Sequence, residues 1–303
     1  MRKITLAVCL MALVLPAMMF ARAEGKFDRT LTVSGAVTVD LTTGSGNVTV
    51  RTGSSNQVVI HGVVRGSNDW FSGDTDNVVH AVESNPPIEQ SGNSIRIGYN
   101  LPEEAKRHVS ISYEVTVPAD TSLQAHSGSG SIGVEGLRRT VVVTTGSGDV
   151  SLRDLGPQSN ARTGSGSIKG QDIALPFTAR TGSGGVQADL TGTGNADVES
   201  GSGDVRLRGV KGGLHARTGS GDITVDGNVQ NGWNLHTGSG SVRMSVGSSQ
   251  GFNLYARTGS GSIHSDLPIT MQGSLNRHEL KGTVHGGGPE VEVSTGSGDV
   301  EIK

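Results

Sequence analysis

Apolar and polar residues alternate in short runs along most of this chain, and the runs break again and again at one tripeptide, Gly-Ser-Gly. It occurs ten times, starting at Gly44, Gly128, Gly146, Gly164, Gly182, Gly201, Gly219, Gly238, Gly259 and Gly296. Four residues after the first glycine stand Val48, Ile132, Val150, Ile168, Val186, Val205, Ile223, Val242, Ile263 and Val300, a β-branched residue in every copy. Three residues before it the position is also apolar throughout, from Leu41 and Ala125 to Val293. Five before it, only Ser159 breaks the pattern. Period-two alternation with β-branched residues predicts half-buried strands on both sides of the motif. The inward positions are odd-numbered before the glycines and even-numbered after them, so a corner must reset the phase. Pairs such as Gly146 and Gly148, Gly164 and Gly166, and Gly219 and Gly221 form that corner, glycine tolerating the backbone angles that a reset requires.

The copies are spaced 84, 18, 18, 18, 19, 18, 19, 21 and 37 residues apart. A sustained period near 20 predicts a solenoid, each repeat adding two strands that pair in parallel with the same strands one turn away. At about 4.8 Å per rung the stack forms a rod on the order of 50 Å long. The fold class is therefore all-β: a single-stranded β-helix with about 18–19 residues per rung. Segments such as Gly209 to Gly213 and Asp226 to Gly232 make the return path. The last gap, twice the period, predicts a degenerate rung around Lys281 to Gly288. The first gap predicts an insertion, an antiparallel cap or side sheet built from Val58 to Val64, Ser94 to Gly98 and Val109 to Val117, with Trp70 and Phe71 in a polar loop. The expected divisions are a leader at 1–23, a first rung at 24–53, the inserted cap at 54–121 and the repeats at 122–303.

Composition sharpens this. The chain has 303 residues, 47 of them Gly and only ten aromatic, too few for a conventional enzyme core but enough for thin repeated layers of Val, Ile, Leu and Ala. Disorder is the rival for such a composition, but a flexible linker has no need of a β-branched residue at one fixed position in ten copies. A formal charge of −3 gives no electrostatic reason for nucleic acid or an anionic membrane as partner. Arg2 and Lys3, the apolar stretch Ile4 to Phe20 and Ala21-Arg22-Ala23 read as a secretory signal peptide. The only cysteine, Cys9, falls inside it. The expectation is an exported protein, periplasmic, surface-located or secreted, without disulfide, lipid anchor or later membrane span, and monomeric or weakly associated.

The leader, the run Val115-Thr116-Val117-Pro118, the copies of Thr-Gly-Ser-Gly-Asp-Val/Ile, and the ending from Gly286-Gly287-Gly288-Pro289 to Gly296-Ser297-Gly298-Asp299-Val300-Glu301-Ile302 resemble a bacterial domain family of unknown function labelled "putative adhesin". The resemblance covers most of the chain after the leader. It implies an exported β-solenoid and brings no catalytic residues with it.

Three columns carry candidate chemistry. Thr or Ser precedes every corner and shares the inward face, which predicts a buried hydroxyl ladder rather than an ice-binding surface. One residue earlier, outward, stand Arg162, Arg180, Glu199, Arg217, His236 and Arg257, expected on consecutive rungs. Arg162, Arg180, Arg217 and Arg257 are candidates for a polyanion such as a cell-envelope polysaccharide, against the plainer reading of a solvated face. After the corner, Asn47, Asp149, Asp204, Asp222 and Asp299 read as turn caps, since the calcium-binding nonapeptide is absent. No His-Glu-x-x-His or comparable spacing predicts a metal, and no cofactor motif is present. The function expected is a non-catalytic structural or adhesin-like binding module at the cell envelope, engaging a polysaccharide or another surface protein. The alternative is a carbohydrate-active β-helix enzyme of the lyase or hydrolase type, to be revived by two carboxyls within about 10 Å in a groove.

Overall fold

The computed structural model describes residues 24–66, 75–271 and 277–303. The leader and the loop carrying Trp70 and Phe71 lie outside the described residues. Strands dominate, and among the described residues 25 of them join one continuous hydrogen-bonded sheet wound as a β-solenoid.

Two columns of parallel strands build the rod. One holds the strands that enter the corners, such as Val141–Thr145, Ser159–Thr163, Phe177–Thr181 and Ala196–Ser200, paired residue for residue. The other holds the strands that leave them, such as Val150–Leu155, Ile168–Ala174 and Val186–Thr191. The alternation read from the sequence is the burial pattern observed: Val150, Ile168, Val186, Val205 and Ile223 are each at most 1% exposed, stacked one above another. Each such side chain contributes roughly 1.5–3 kcal/mol by leaving water. In two rungs the return path is itself strand, Val205–Thr218 and Ile223–Ser239 running through it.

The corner glycines are needed for a different reason from the one expected. Most corner glycines have ordinary backbone angles; Gly261 and Gly298 are exceptions with φ of 154° and 150°. Close stacking sets the requirement: a Cβ on Gly164 would overlap the carbonyl oxygen of Gly146, and one on Gly166 that of Gly148, a pattern repeated up the rod. Beneath them runs the hydroxyl ladder. Thr145, Thr163, Thr181, Ser200, Thr218 and Thr237 each donate to the corner carbonyl of the preceding rung, at 2.7 to 2.9 Å. Thr163 also accepts the Gly166 N–H at 3.1 Å, so one buried hydroxyl satisfies two backbone groups.

The ends depart from sequence order. The first rung begins at Val37, not at residue 24, because Glu24–Thr32 runs antiparallel to Gln57–Gly66, which runs antiparallel to Val109–Val117. Part of the insertion is itself a layer of the solenoid: Ser94–Ile97 stacks in parallel on Val37–Thr43, and Val109–Val117 on Val48–Thr52. A helix, Thr75–Ser84, packs on the antiparallel strands. At the other end an antiparallel strand stands, among the described residues, where a degenerate rung was expected. Glu279–Val284 pairs antiparallel with Phe252–Ser260. The strand Glu290–Ser297 then slips between Ile223–Ser239 and Phe252–Ser260, and Val300–Ile302 between Val242–Val246 and Ile263–Ser265.

Candidate functional site

The outward column lies on the strands that enter the corners. Arg162, Arg180, Glu199, Arg217 and His236 are direct neighbours on successive rungs. Arg257 is displaced from the expected series: Ser294, carried by the interleaved strand, stands between it and His236. The ring Nδ1 of His236 lies 2.8 Å from the Ser294 hydroxyl. Parallel pairing without offset forces identical side chains to stack about 4.8 Å apart, so a repeated arginine becomes a charged row.

Arg162, Arg180, Glu199, Arg217 and His236 line a hollow of about 570 Å³ beside the corner backbone of Gly182, Gly201, Gly219 and Gly238. Its charges are unequal. Arg180 pairs with Asp197 at 2.7 Å and with Glu199 at 3.4 Å. Among the described residues Arg162, Arg217 and Arg257 make no ion pair. They are the cations that remain available, while Arg180 is largely neutralised by its own neighbours. Desolvation holds the His236 imidazole below its usual range, helped by the positive charges of Arg217 and Arg257. Sequence reasoning missed Asp197, which lies two residues from Glu199 on the same outward face, beside Thr178 and His215 on the adjacent rungs; the shared outward parity was the signal.

Asp197, Glu199 and His215 bring their donor atoms within 4.8 Å of one another. The Arg180 guanidinium pairs with one oxygen of each carboxylate, which ties the two acids into an ion-pair network, while Asp197 Oδ1 has no hydrogen-bond partner.

The aspartate column is structural in its contacts. Asp149, Asp204 and Asp222 accept the backbone N–H of Ser167, Asp222 and Ser241 on the next rung, at 2.8 to 3.0 Å. Asn47 does the same for Ser131 at 2.9 Å. For Asp204 this backbone bond, with Arg206 beside it, holds the carboxyl below the ordinary range.

A second hollow, about 660 Å³, lies on the outer face of the far end, lined by Asn253, Tyr255, Glu279, Lys281, Glu290 and Glu292 among others. Glu290 and Glu292 share one face of a strand, their Cα atoms about 7 Å apart. Both side chains line the hollow, which makes them its candidate carboxyl pair. Trp233 and Phe252 are core residues, which leaves Tyr255 as the aromatic side chain of this hollow.

No helix among the described residues is long and apolar enough to cross a membrane. A family model described as Toastrack DUF4097 matches residues 39–303. No curated protein matches the chain. Among solved structures, one described as a putative adhesin from Bacteroides fragilis NCTC 9343 is 13% identical, with 92% of this chain and 97% of that chain covered and a TM-score of 0.35. One described as a putative adhesin from Parabacteroides distasonis ATCC 8503 is 10% identical over 92% of this chain and 97% of its own, with a TM-score of 0.36. Another from the same organism, described as a putative lipid binding protein, is 11% identical over the same shares, with a TM-score of 0.44.

Proposed function

We propose, from the premise that the chain belongs to the Toastrack DUF4097 family, that it is a non-catalytic, exported binding module of the cell envelope whose arginine-lined groove engages an anionic polymer. The observation that carries this is the row of Arg162, Arg217 and Arg257 on one outward face, unpaired among the described residues and held at rung-determined intervals. A polymer lying along the rod axis meets those charges without ordering a flexible loop. Each exposed contact is weak, so affinity comes from several acting together and falls with salt.

The test is titration with dextran sulfate at low salt. Replacing Arg162 and Arg217 with Ser is expected to weaken binding, and Glu199→Arg to strengthen it. Undetectable binding, or indifference to these changes, overturns the reading.

The second reading, a glycan-cleaving enzyme, is favoured by the Glu290 and Glu292 pair in the 660 Å³ hollow. Against it, Asn234 donates to Glu292 at 3.1 Å and Lys281 lines the same hollow, so Glu292 already has a partner within the fold. Reducing ends released from an acidic polysaccharide by the wild type, and not by Glu292→Gln, would establish it.

A further inference from the structure

Beside the arginine row runs a second outward row, two residues nearer the start of each strand: Asn160, Thr178, Asp197, His215 and Asn234, direct neighbours on successive rungs. An acid meets an imidazole at one step of this row, and Glu199 stands two residues from that acid on the same face. No linear motif signals the grouping, because His215 joins the two acids only through register. Parallel register holds such neighbours about 4.8 Å apart, and strands fix side chains more firmly than loops do. The donor atoms of all three accordingly lie within 4.8 Å of one another.

Two observations set this cluster apart from an ordinary surface ion pair. Asp197 Oδ1 is out of contact with solvent and has no hydrogen-bond donor. His215, beside it on the next strand, makes no hydrogen bond or ion pair among the described residues. Arg180 reaches the acids from the strand on the other side and takes only Asp197 Oδ2 and Glu199 Oε2. A carboxylate oxygen that has lost water and gained no donor is unfavourable, and a cation placed on it recovers that loss. The way in is open: the Asp197 and Glu199 side chains are 38% and 44% exposed, and rotation about the last carboxylate torsion, a soft one, presents either oxygen to an ion arriving from solvent.

We propose that Asp197, Glu199 and His215 bind one divalent transition-metal ion of the zinc class. Zinc takes imidazole nitrogen and carboxylate oxygen together, at roughly 2.0–2.2 Å, with three protein ligands and a water as the fourth. Drawing donors from within 4.8 Å onto one such ion needs side-chain movement of about 1 Å. Calcium and magnesium favour shells of oxygen alone, which this set does not supply. Arg180 and Arg217 flank the site and weaken the ion's hold by repulsion. The site stands whether or not the neighbouring groove takes a polymer.

The test is isothermal titration of the untagged protein with zinc chloride, and with calcium chloride in parallel. One equivalent of zinc is expected to bind saturably, and calcium is not. His215→Gln and Asp197→Asn should each weaken zinc binding by at least about tenfold. His264→Gln removes a different imidazole beside a carboxylate, Asp266 at 2.9 Å, and should leave zinc binding unchanged. Zinc should also shift the His215 ring resonances in NMR spectra with the same saturation, which decides the matter should a variant fail to fold. No saturable zinc binding, equal binding of calcium, unmoved His215 resonances, affinity unchanged in either ligand variant, or affinity lost in His264→Gln each overturns the proposal.

Discussion

Gly44 and Gly164 occupy the same place in the same motif, so replacing each with alanine isolates what the neighbouring rung contributes. At Gly164 the new Cβ would stand roughly 1 Å inside van der Waals contact with the Gly146 carbonyl oxygen, and relief requires the two corners to separate by about that much. Two hydrogen bonds tie this corner to the one before: Gly164 N–H to Thr145 O at 3.2 Å and the Thr163 hydroxyl to Gly148 O at 2.8 Å. Stretching both past useful length costs roughly 2 kcal/mol at about 1 kcal/mol each. At Gly44 the Cβ meets nothing within 4 Å, and the reduced freedom of the unfolded chain leaves the change within about 1 kcal/mol of neutral. Urea denaturation of both variants measures the difference. If Gly164→Ala is as stable as Gly44→Ala, close corner stacking is not what demands glycine and the explanation given for the motif is wrong.

Val205→Asp, placing a carboxylate at a fully buried position, should cost at least about 3 kcal/mol, and a melting temperature near that of the wild type would show that the inward face is misassigned. Because the Asp204 carboxyl is held below its unfolded range, the stability it adds is complete above that range and lost as pH falls through the folded value. Asp204→Asn keeps an acceptor for the Asp222 N–H but cannot titrate, so its melting temperature should fall less steeply than that of the wild type below about pH 4; parallel curves would refute this. His236 is held neutral between Arg217 and Arg257, so lowering pH toward its depressed range adds a cation to the groove. Dextran sulfate binding should therefore strengthen as pH falls below the ordinary imidazole value of 6.5, more in the wild type than in His236→Gln; identical slopes in the two would count against the groove.

The local structure was legible because it depends on single positions. A β-branched residue four after the corner and a hydroxyl one before it have only one arrangement that buries the first and satisfies the second. Rung order was not legible, because the copies are nearly interchangeable at the corner. The motif at Gly296 can stack on that at Gly238 as well as on that at Gly259, and spacing alone suggested an extra rung where an antiparallel strand stands. This moved Ser294 into the arginine row and put Arg257 one step farther out. The pairing of Arg180 with Asp197 was hidden for the same reason, since it joins residues 17 apart whose adjacency depends on register.

The interleaved strand also decides when folding can finish. A solenoid stacked in sequence order can grow as it leaves the ribosome, each new rung settling on the one before. Here Phe252–Ser260 emerges before Glu290–Ser297, yet can reach its place only across that later strand. Until residues 290–302 arrive, Ile223–Ser239 keeps an open edge along Trp233 to Ser239, and a second copy of Phe252–Ser260 or of the same corner motif could pair with it. The closing step thus waits for residues 290–302, and a chain stalled or clipped before Glu290 is left with two sticky faces rather than one shorter rod.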